Sequence, residues 1–285
     1  MKKLLLAVLL SIVAMSGNST ETVRVSFPFT QIPEFQRHLI AKANENQDRW
    51  NFVIVTKAGA GGSIAATDVL HNNSSILISN SSFFIRSNLP NSPYQADQFR
   101  LLSVNCAIPM VVVSKKYRSL KDIKGSVSIG ITGIGSTTHL VASALAQKYP
   151  DLIVVPYKGT NESLQGILSG EIDMAVQFVK PMEAYIKLGQ INALGLSGNK
   201  SYLNIPLLSN LGFDNTNLIT NNFFLAVSKN TPNELYNEWR QLFSSIANQE
   251  QYNNEMCTPI DETADWFVGQ QRFWKNVTSN IRITE

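Results

Sequence analysis

Short runs of consecutive apolar residues alternate along this chain with longer segments whose apolar positions recur every three or four residues. The first kind predicts strands at Val23–Phe27, Phe52–Thr56, Ile76–Ser79, Leu101–Asn105, Met110–Ser114, Val127–Ile131, Leu152–Pro156, Ile172–Val176, Ala193–Leu196 and Phe223–Val227. Several of these are apolar throughout, as parallel strands covered on both faces should be. The second kind predicts helices at Glu34–Ala43, Ser63–Leu70, Thr137–Gln147, Glu162–Ser169, Met182–Leu188, Asn233–Ala247 and Glu262–Val277. This alternation is the signature of an α/β fold with mostly parallel sheets. Ten strands exceed what one compact doubly wound domain usually needs, so two α/β lobes are expected. Polar punctuation falls at Asn88–Pro93 and Gly212–Asn222. No flexible interdomain linker stands out, so strands themselves are expected to cross between the lobes.

The first twenty residues follow a different pattern. Lys2 and Lys3 precede an apolar run from Leu4 to Met15, broken only by Ser11, and Ser16-Gly17-Asn18-Ser19-Thr20 follows. A basic start, a short apolar stretch and a zone of small residues make residues 1–20 a secretory signal peptide. Twelve residues rise about 18 Å as a helix, short of the ~30 Å hydrocarbon core, which disfavours the alternative of an uncleaved anchor. No cysteine lies near the cleavage zone, which argues against a lipid-anchored form. The expectation is an exported, soluble protein.

Composition narrows the classes further. The chain has 285 residues, 44% hydrophobic and 16% charged, which is ample for a buried core and too apolar for disorder. Its net charge of +3 falls to near +1 once Lys2 and Lys3 are removed, so nothing suggests a nucleic-acid partner. Two cysteines, Cys106 and Cys257, form no disulfide framework; export permits a bridge, but two separate half-buried thiols are the favoured expectation. The histidines His38, His71 and His139 are scattered, with no spacing suited to zinc. No metal or cofactor is implied.

Three donor-rich turns follow predicted strands. Gly130-Ile131-Thr132-Gly133-Ile134-Gly135-Ser136-Thr137-Thr138-His139 leads from a strand into a helix. Its glycines allow positive φ and close approach of a ligand, and its Ser/Thr residues are good N-caps. Such a turn is an anion site or a plain capped connection. The spacing is neither the dinucleotide fingerprint nor a P-loop. Gly59-Ala60-Gly61-Gly62-Ser63 offers the same geometry, and Ser79-Asn80-Ser81-Ser82 lies just past a strand end. Ligands of open α/β sheets bind outside the carboxyl ends of strands, so the set favours a small-ligand site. Lys158 fits an anion contact or a solvated surface position. The pairs Phe83-Phe84 and Phe223-Phe224 fit the core or the wall of a cleft. Glu171 and Asp173, flanking Ile172, fit turn solvation.

With these turns in place, the sequence resembles the substrate-binding proteins of tripartite tricarboxylate transporters, the Bug/TctC family. Lys57–Ser63 is similar to the family's Pro-Gly-Ala-Gly-Gly segment. Ile129–Leu140 resembles its Tyr-Gly-Ser-x-Gly-x-Gly-Ser-x-x-His-Leu segment, with Ser136 and His139 in register. Val155-Pro156-Tyr157-Lys158-Gly159 and Gly170-Glu171-Ile172-Asp173-Met174 match further family segments in the same order. Ala193–Ser197, Ile205–Leu208 and Leu211–Phe213 extend the likeness, which runs from about Val23 to the C-terminus.

The resemblance implies a two-lobe periplasmic-binding-protein (type II, Venus flytrap) fold with the ligand cleft between the lobes. Lobe 1 would comprise residues 21–103 and 222–285, and lobe 2 residues 104–221. It implies a non-enzymatic, monomeric receptor for a small organic acid (a di- or tricarboxylate, an amino acid or an aromatic acid) that docks on membrane transporter subunits. Expected contacts are Pro28, Phe29, Thr30 and Gln31 of the first loop, and Ser81 and Ser82 of the central turn. Thr132, Gly133, Gly135, Ser136, Thr137 and His139 of the Gly-rich loop complete the set.

The chain departs from the family at Ser26-Phe27-Pro28-Phe29-Thr30-Gln31-Ile32-Pro33-Glu34, where Thr30-Gln31 replaces a Gly pair and Pro33 removes an N–H. An altered ligand preference is expected there. Two other classes compete with this reading. One is a sensor that presents its ligand to a signalling partner. The other is an exported α/β hydrolase using Ser136 with His139, for which no Gly-x-Ser-x-Gly elbow or orienting acid is evident.

Overall fold

The computed structural model describes residues 20–214, 216–249 and 265–280. Residues 1–19, nearly all of the segment expected to be a signal peptide, lie outside these residues. The first half of a mixed sheet begins with β1 (Glu21–Phe27), flanked in parallel by β2 (Trp50–Thr56) and β3 (Ser75–Ser79). The helices α1 (Glu34–Glu45) and α2 (Ser63–Leu70) make the crossovers. The second half sets β5 (Val127–Ile131) parallel to β6 (Leu152–Pro156) and β7 (Met174–Phe178). Its connecting helices are α4 (Thr137–Ala146) and α5 (Thr160–Ser169), and α6 (Val179–Lys187) leads from β7 to β8 (Asn192–Leu196).

One long strand joins the halves. The N-terminal part of β4 (Phe99–Ser114) runs antiparallel to β9 (Thr220–Ser228), which pairs in turn with β3. Its C-terminal part pairs with β7 on one side and β8 on the other. The order is β2-β1-β3-β9-β4-β7-β5-β6, with β8 also on β4. The helices α7 (Asn233–Gln249) and α8 (Trp266–Asn280) pack back on the first half, against β4 and α1 and against α3 (Ser82–Ser87) respectively.

The alternation read from the sequence is therefore present, with three corrections. The runs Leu101–Asn105 and Met110–Ser114 are a single strand, so nine strands stand among the described residues rather than ten. Register shifts between Leu101 and Ser103 and between Val104 and Cys106 keep it paired. Pro109 falls where the ladder changes partner, a place where a missing N–H is tolerated. The strand expected from Ile172 starts at Met174, because the Ile172 N–H donates to Gly166 O and closes the turn after α5. The third correction is α3, which the sequence suggested only as a turn followed by an aromatic pair.

Both faces of the sheet are covered, which explains the continuous apolar runs. Val23, Val25, Phe27, Ile76 and Ile78 join Leu39, Trp239 and Phe243 beneath α1 and α7. Leu77, Phe83, Phe84, Met110 and Val112 belong to the core of the opposite face, which continues under α4. Val111, Val113, Ala175 and Leu196 close a third cluster with α5 and α6. The expectation of two half-buried thiols is not met at Cys106, which is fully buried in β4 and is not a free thiol; Cys257 lies outside the described residues. No helix among the described residues is long and apolar enough to cross a membrane.

Candidate functional site

Loops from the carboxyl ends of six strands converge on one cleft of about 1520 Å³. The segment after β1 contributes Pro28, Phe29, Thr30 and Gln31. Gly59–Gly62 follows β2, and Asn80 and Ser82 follow β3. From the second half come Thr132–Ser136 after β5, Tyr157–Glu162 after β6, and Phe178, Lys180 and Pro181 around the end of β7. The Phe35 and Phe223 rings, edge to face at 5.1 Å, supply an aromatic wall.

The Gly-rich loop is built from hydrogen bonds among its own residues. Gly133 and Gly135 have φ of 131° and 73°, which side-chain-bearing residues rarely adopt. Ser136 caps α4: its Oγ accepts from the His139 N–H at 3.2 Å and donates to Gly133 O at 2.7 Å. Thr138 Oγ1 accepts from the Thr132 N–H at 2.9 Å, tying the strand end to the helix start. The Gly135 N–H donates to His139 Nδ1 at 3.2 Å, and the Ser136 N–H donates to Gly133 O. Two amides of the loop are thus used within the fold.

His139 is 4% exposed, and burial pushes its pKa below the usual imidazole range. The neutral ring is also the form the loop needs, because protonated Nδ1 cannot accept from Gly135. A depressed folded-state pKa contributes stability above the ordinary imidazole value that is lost as pH falls through the folded value. The unfolding midpoint is therefore expected to decline on acidification from pH 7 through the folded-state pKa. The decline should be smaller in His139→Asn, which keeps an acceptor but does not titrate. Identical pH profiles for the two proteins would refute this role.

Nine of the residues expected from the sequence line the cleft: Pro28, Phe29, Thr30, Gln31, Ser82, Thr132, Gly133, Gly135 and Ser136. Ser81, Thr137 and His139 do not. Ser81 Oγ instead bonds β9, donating to Thr220 O and accepting from the Asn222 N–H, while Thr137 and His139 are buried behind the loop. The Ser136–His139 pair needed by a hydrolase is not assembled, since Ser136 Oγ meets the backbone of His139 and the ring faces Gly135. Phe83, Phe84 and Phe224 are core, whereas Phe223 lines the cleft. Asp173 holds β5, accepting from Ser128 N and Oγ and from Lys116 Nζ. Among the described residues no group of His, Cys, Asp and Glu is placed to hold a metal.

The cleft also holds cations that the sequence did not single out. Arg37 Nη1 donates to Ile32 O at 2.6 Å and folds the first loop over α1. Lys180 pairs with Glu183 at 2.8 Å; hydrogen bonds from Lys180 and Lys187 pull that carboxylate down to about 2. Arg86, on the last turn of α3, lines the cleft as well. Its sequence signal was a single charge in an apolar run directly after a donor-rich turn.

Residues 38–261 match the model of the tripartite tricarboxylate transporter family receptor, TctC. The chain belongs to this family. TctC proteins are transport receptors rather than enzymes, and the match takes in the Gly-rich loop and the connecting strands. A curated relative, the UPF0065 protein in the tcbD-tcbE intergenic region of a Pseudomonas sp. strain, is 25% identical over 221 residues, 68% of this chain. The chain spans 66% of that relative's length. An R. palustris protein solved with adipate superposes with a TM-score of 0.78 at 18% identity, covering 92% of this chain and 98% of its own. MatC of Rhodopseudomonas palustris, solved with bound malate, gives 0.74 at 18% identity, covering 91% and 99%. The periplasmic binding protein BugD gives 0.79 at 18% identity, covering 92% and 98%; the TctC receptor has this periplasmic-binding-protein fold, in which β4 joins the two halves.

Proposed function

We propose that this TctC receptor captures a small organic acid in the periplasm and delivers it to the membrane subunits of a tripartite tricarboxylate-type transporter. The observation that carries this reading is the convergence of six strand ends, three from each half of the sheet, on a single cleft. Lobe 1 is residues 21–103 with 222–285, lobe 2 is residues 104–221, and residues 1–20 direct export. Thr30, Gln31 and Ser82 meet the ligand from lobe 1; Thr132, Gly133, Gly135 and Ser136 meet it from lobe 2. The cleft exceeds the roughly 300–1,000 Å³ of ordinary small-molecule pockets, which leaves room for the lobes to close over the ligand. That structural neighbours hold adipate and malate supports a carboxylate class.

The test is a thermal-shift screen of the ligand-free mature protein against adipate, malate, other di- and tricarboxylates, acidic amino acids and aromatic acids. At ~100 times its Kd, a ligand adds about 2.7 kcal/mol, expected to raise the midpoint by roughly 5–10 °C. A selective rise supports the reading. Silence across the panel from a folded sample overturns the carboxylate class.

A further inference from the structure

We propose that Arg86 is the counter-ion of the captured carboxylate, the residue that makes the cleft prefer an ionised ligand to its neutral analogue. The inference rests on the receptor reading above and goes further by naming the charge that reads the ligand. Arg86 is half-buried at the end of α3, whose Phe83, Phe84 and Ile85 are sealed in the core, so the backbone beneath it is fixed. Its guanidinium lies between the two Gly-rich loops. A Cβ built on Gly61 would stand 2.9 Å from Arg86 Nε and 3.2 Å from Cζ. One built on Gly135 would stand 3.3 Å from Cδ and 3.7 Å from Nη1. Gly61 follows β2 and Gly135 follows β5, so this side chain spans the place where the two halves of the sheet face each other.

Among the described residues the same guanidinium meets no anion. Arg37 and Lys180 are committed to Ile32 O and Glu183, and Lys158 is exposed at the rim. Among the described residues Arg86 has no side-chain hydrogen bond and no ion pair. The nearby Tyr94 hydroxyl, on which its charge acts, offers no anion: it is neutral, held protonated by burial, and donates to Phe83 O. A guanidinium partly withdrawn from water without an anion is costly, and that cost is relieved by a carboxylate. Its planar fork suits a carboxylate in two parallel hydrogen bonds, which a lysine cannot reproduce. Two amides of the Gly-rich loop, those of Gly135 and Ser136, are spent on His139 and Gly133, so a charged side chain beside the loop adds an interaction that these two do not provide.

The experiment compares wild type, Arg86→Gln and Arg86→Lys by calorimetric titration. The probes are the acids of the screen above, adipate and malate included, each beside its neutral carboxamide. Wild type should bind a carboxylate at least 30-fold more tightly than its amide, and its affinity for the acid should weaken progressively between 50 and 500 mM salt. Arg86→Gln should lose at least 30-fold for the acid and nothing for the amide, and Arg86→Lys should fall between. Affinity within threefold of wild type in Arg86→Gln overturns the Arg86 assignment and leaves the receptor reading intact. Wild type binding acid and amide alike does the same. Wild type binding no acid in the panel overturns both. Ligand-free unfolding midpoints establish that the variants are folded. If Arg86→Gln does not fold, Arg86→Lys and the wild-type salt series decide, and no change in either overturns the inference.

Discussion

Replacing Gly135 with Asp is expected to abolish carboxylate capture while leaving the protein folded. The position combines a backbone demand with an electrostatic one. At φ 73° a side-chain-bearing residue is strained, though Asp tolerates this region better than most, so the fold should lose about 1 kcal/mol. That corresponds to a fall of roughly 2–4 °C in unfolding midpoint. The new Cβ would stand 3.3 Å from Arg86 Cδ, placing the carboxylate of Gly135→Asp beside the guanidinium proposed to hold the ligand. The substituted group then occupies the ligand's place from within the chain and repels any second carboxylate. Close charge pairs at interfaces couple by about 1.5–7 kcal/mol, and ~2.7 kcal/mol already corresponds to a hundredfold. A loss of at least a hundredfold for any acid bound by wild type is the expected outcome, read by titration calorimetry. Gly135→Ala separates the two effects, because it carries the backbone strain without the charge and should lose distinctly less. Wild-type affinity in Gly135→Asp would remove the Gly-rich loop from the site.

Much of this arrangement was legible in the sequence because it is local. The turn Gly133–Ser136 declares itself through glycines needed for positive φ and a Ser that caps the following helix, and both features depend only on neighbours in the chain. The same holds for Ser63–Leu70 and Val127–Ile131, whose bounds agree between sequence and structure. What escaped notice depends on contacts between distant segments. The two apolar runs around Pro109 look like two strands, and only the successive partners β9, β7 and β8 make them one. Ser81 reads as a ligand donor until β9 is seen to use its hydroxyl from 139 residues away. Arg86 was hidden for the complementary reason: α3 is six residues long, too short for its period to show, and its neighbours all point to the core. The departure at Thr30-Gln31 was visible directly, and the structure places both residues exposed at the cleft wall.

The largest expected loss of stability comes from Phe83→Ala, and it tests how Arg86 is held. Phe83 is 3% exposed and packs against five other rings. It stacks on Tyr94 at 4.9 Å and meets Phe84, Phe99 and Phe224 edge-on at 5.2, 5.0 and 5.5 Å. At 6.2 Å it also reaches Phe267 of α8, so one side chain joins α3, the sheet and the C-terminal helix. Truncating such a ring removes its transfer energy and leaves a cavity that surrounding rigid aromatics cannot fill, at a cost of about 3–5 kcal/mol. The midpoint should fall by on the order of 10 °C. Phe83→Leu, which retains more of the volume, should recover a large part of this. Affinity should fall as well, because α3 is a turn and a half long and its register against the sheet sets where the guanidinium points. Phe83→Ala with the expected stability loss but wild-type affinity would mean that Phe84 and Ile85 alone fix α3. In that case the position of Arg86 is set by the two glycine loops that enclose it, and the burden of proof shifts to Gly61 and Gly135.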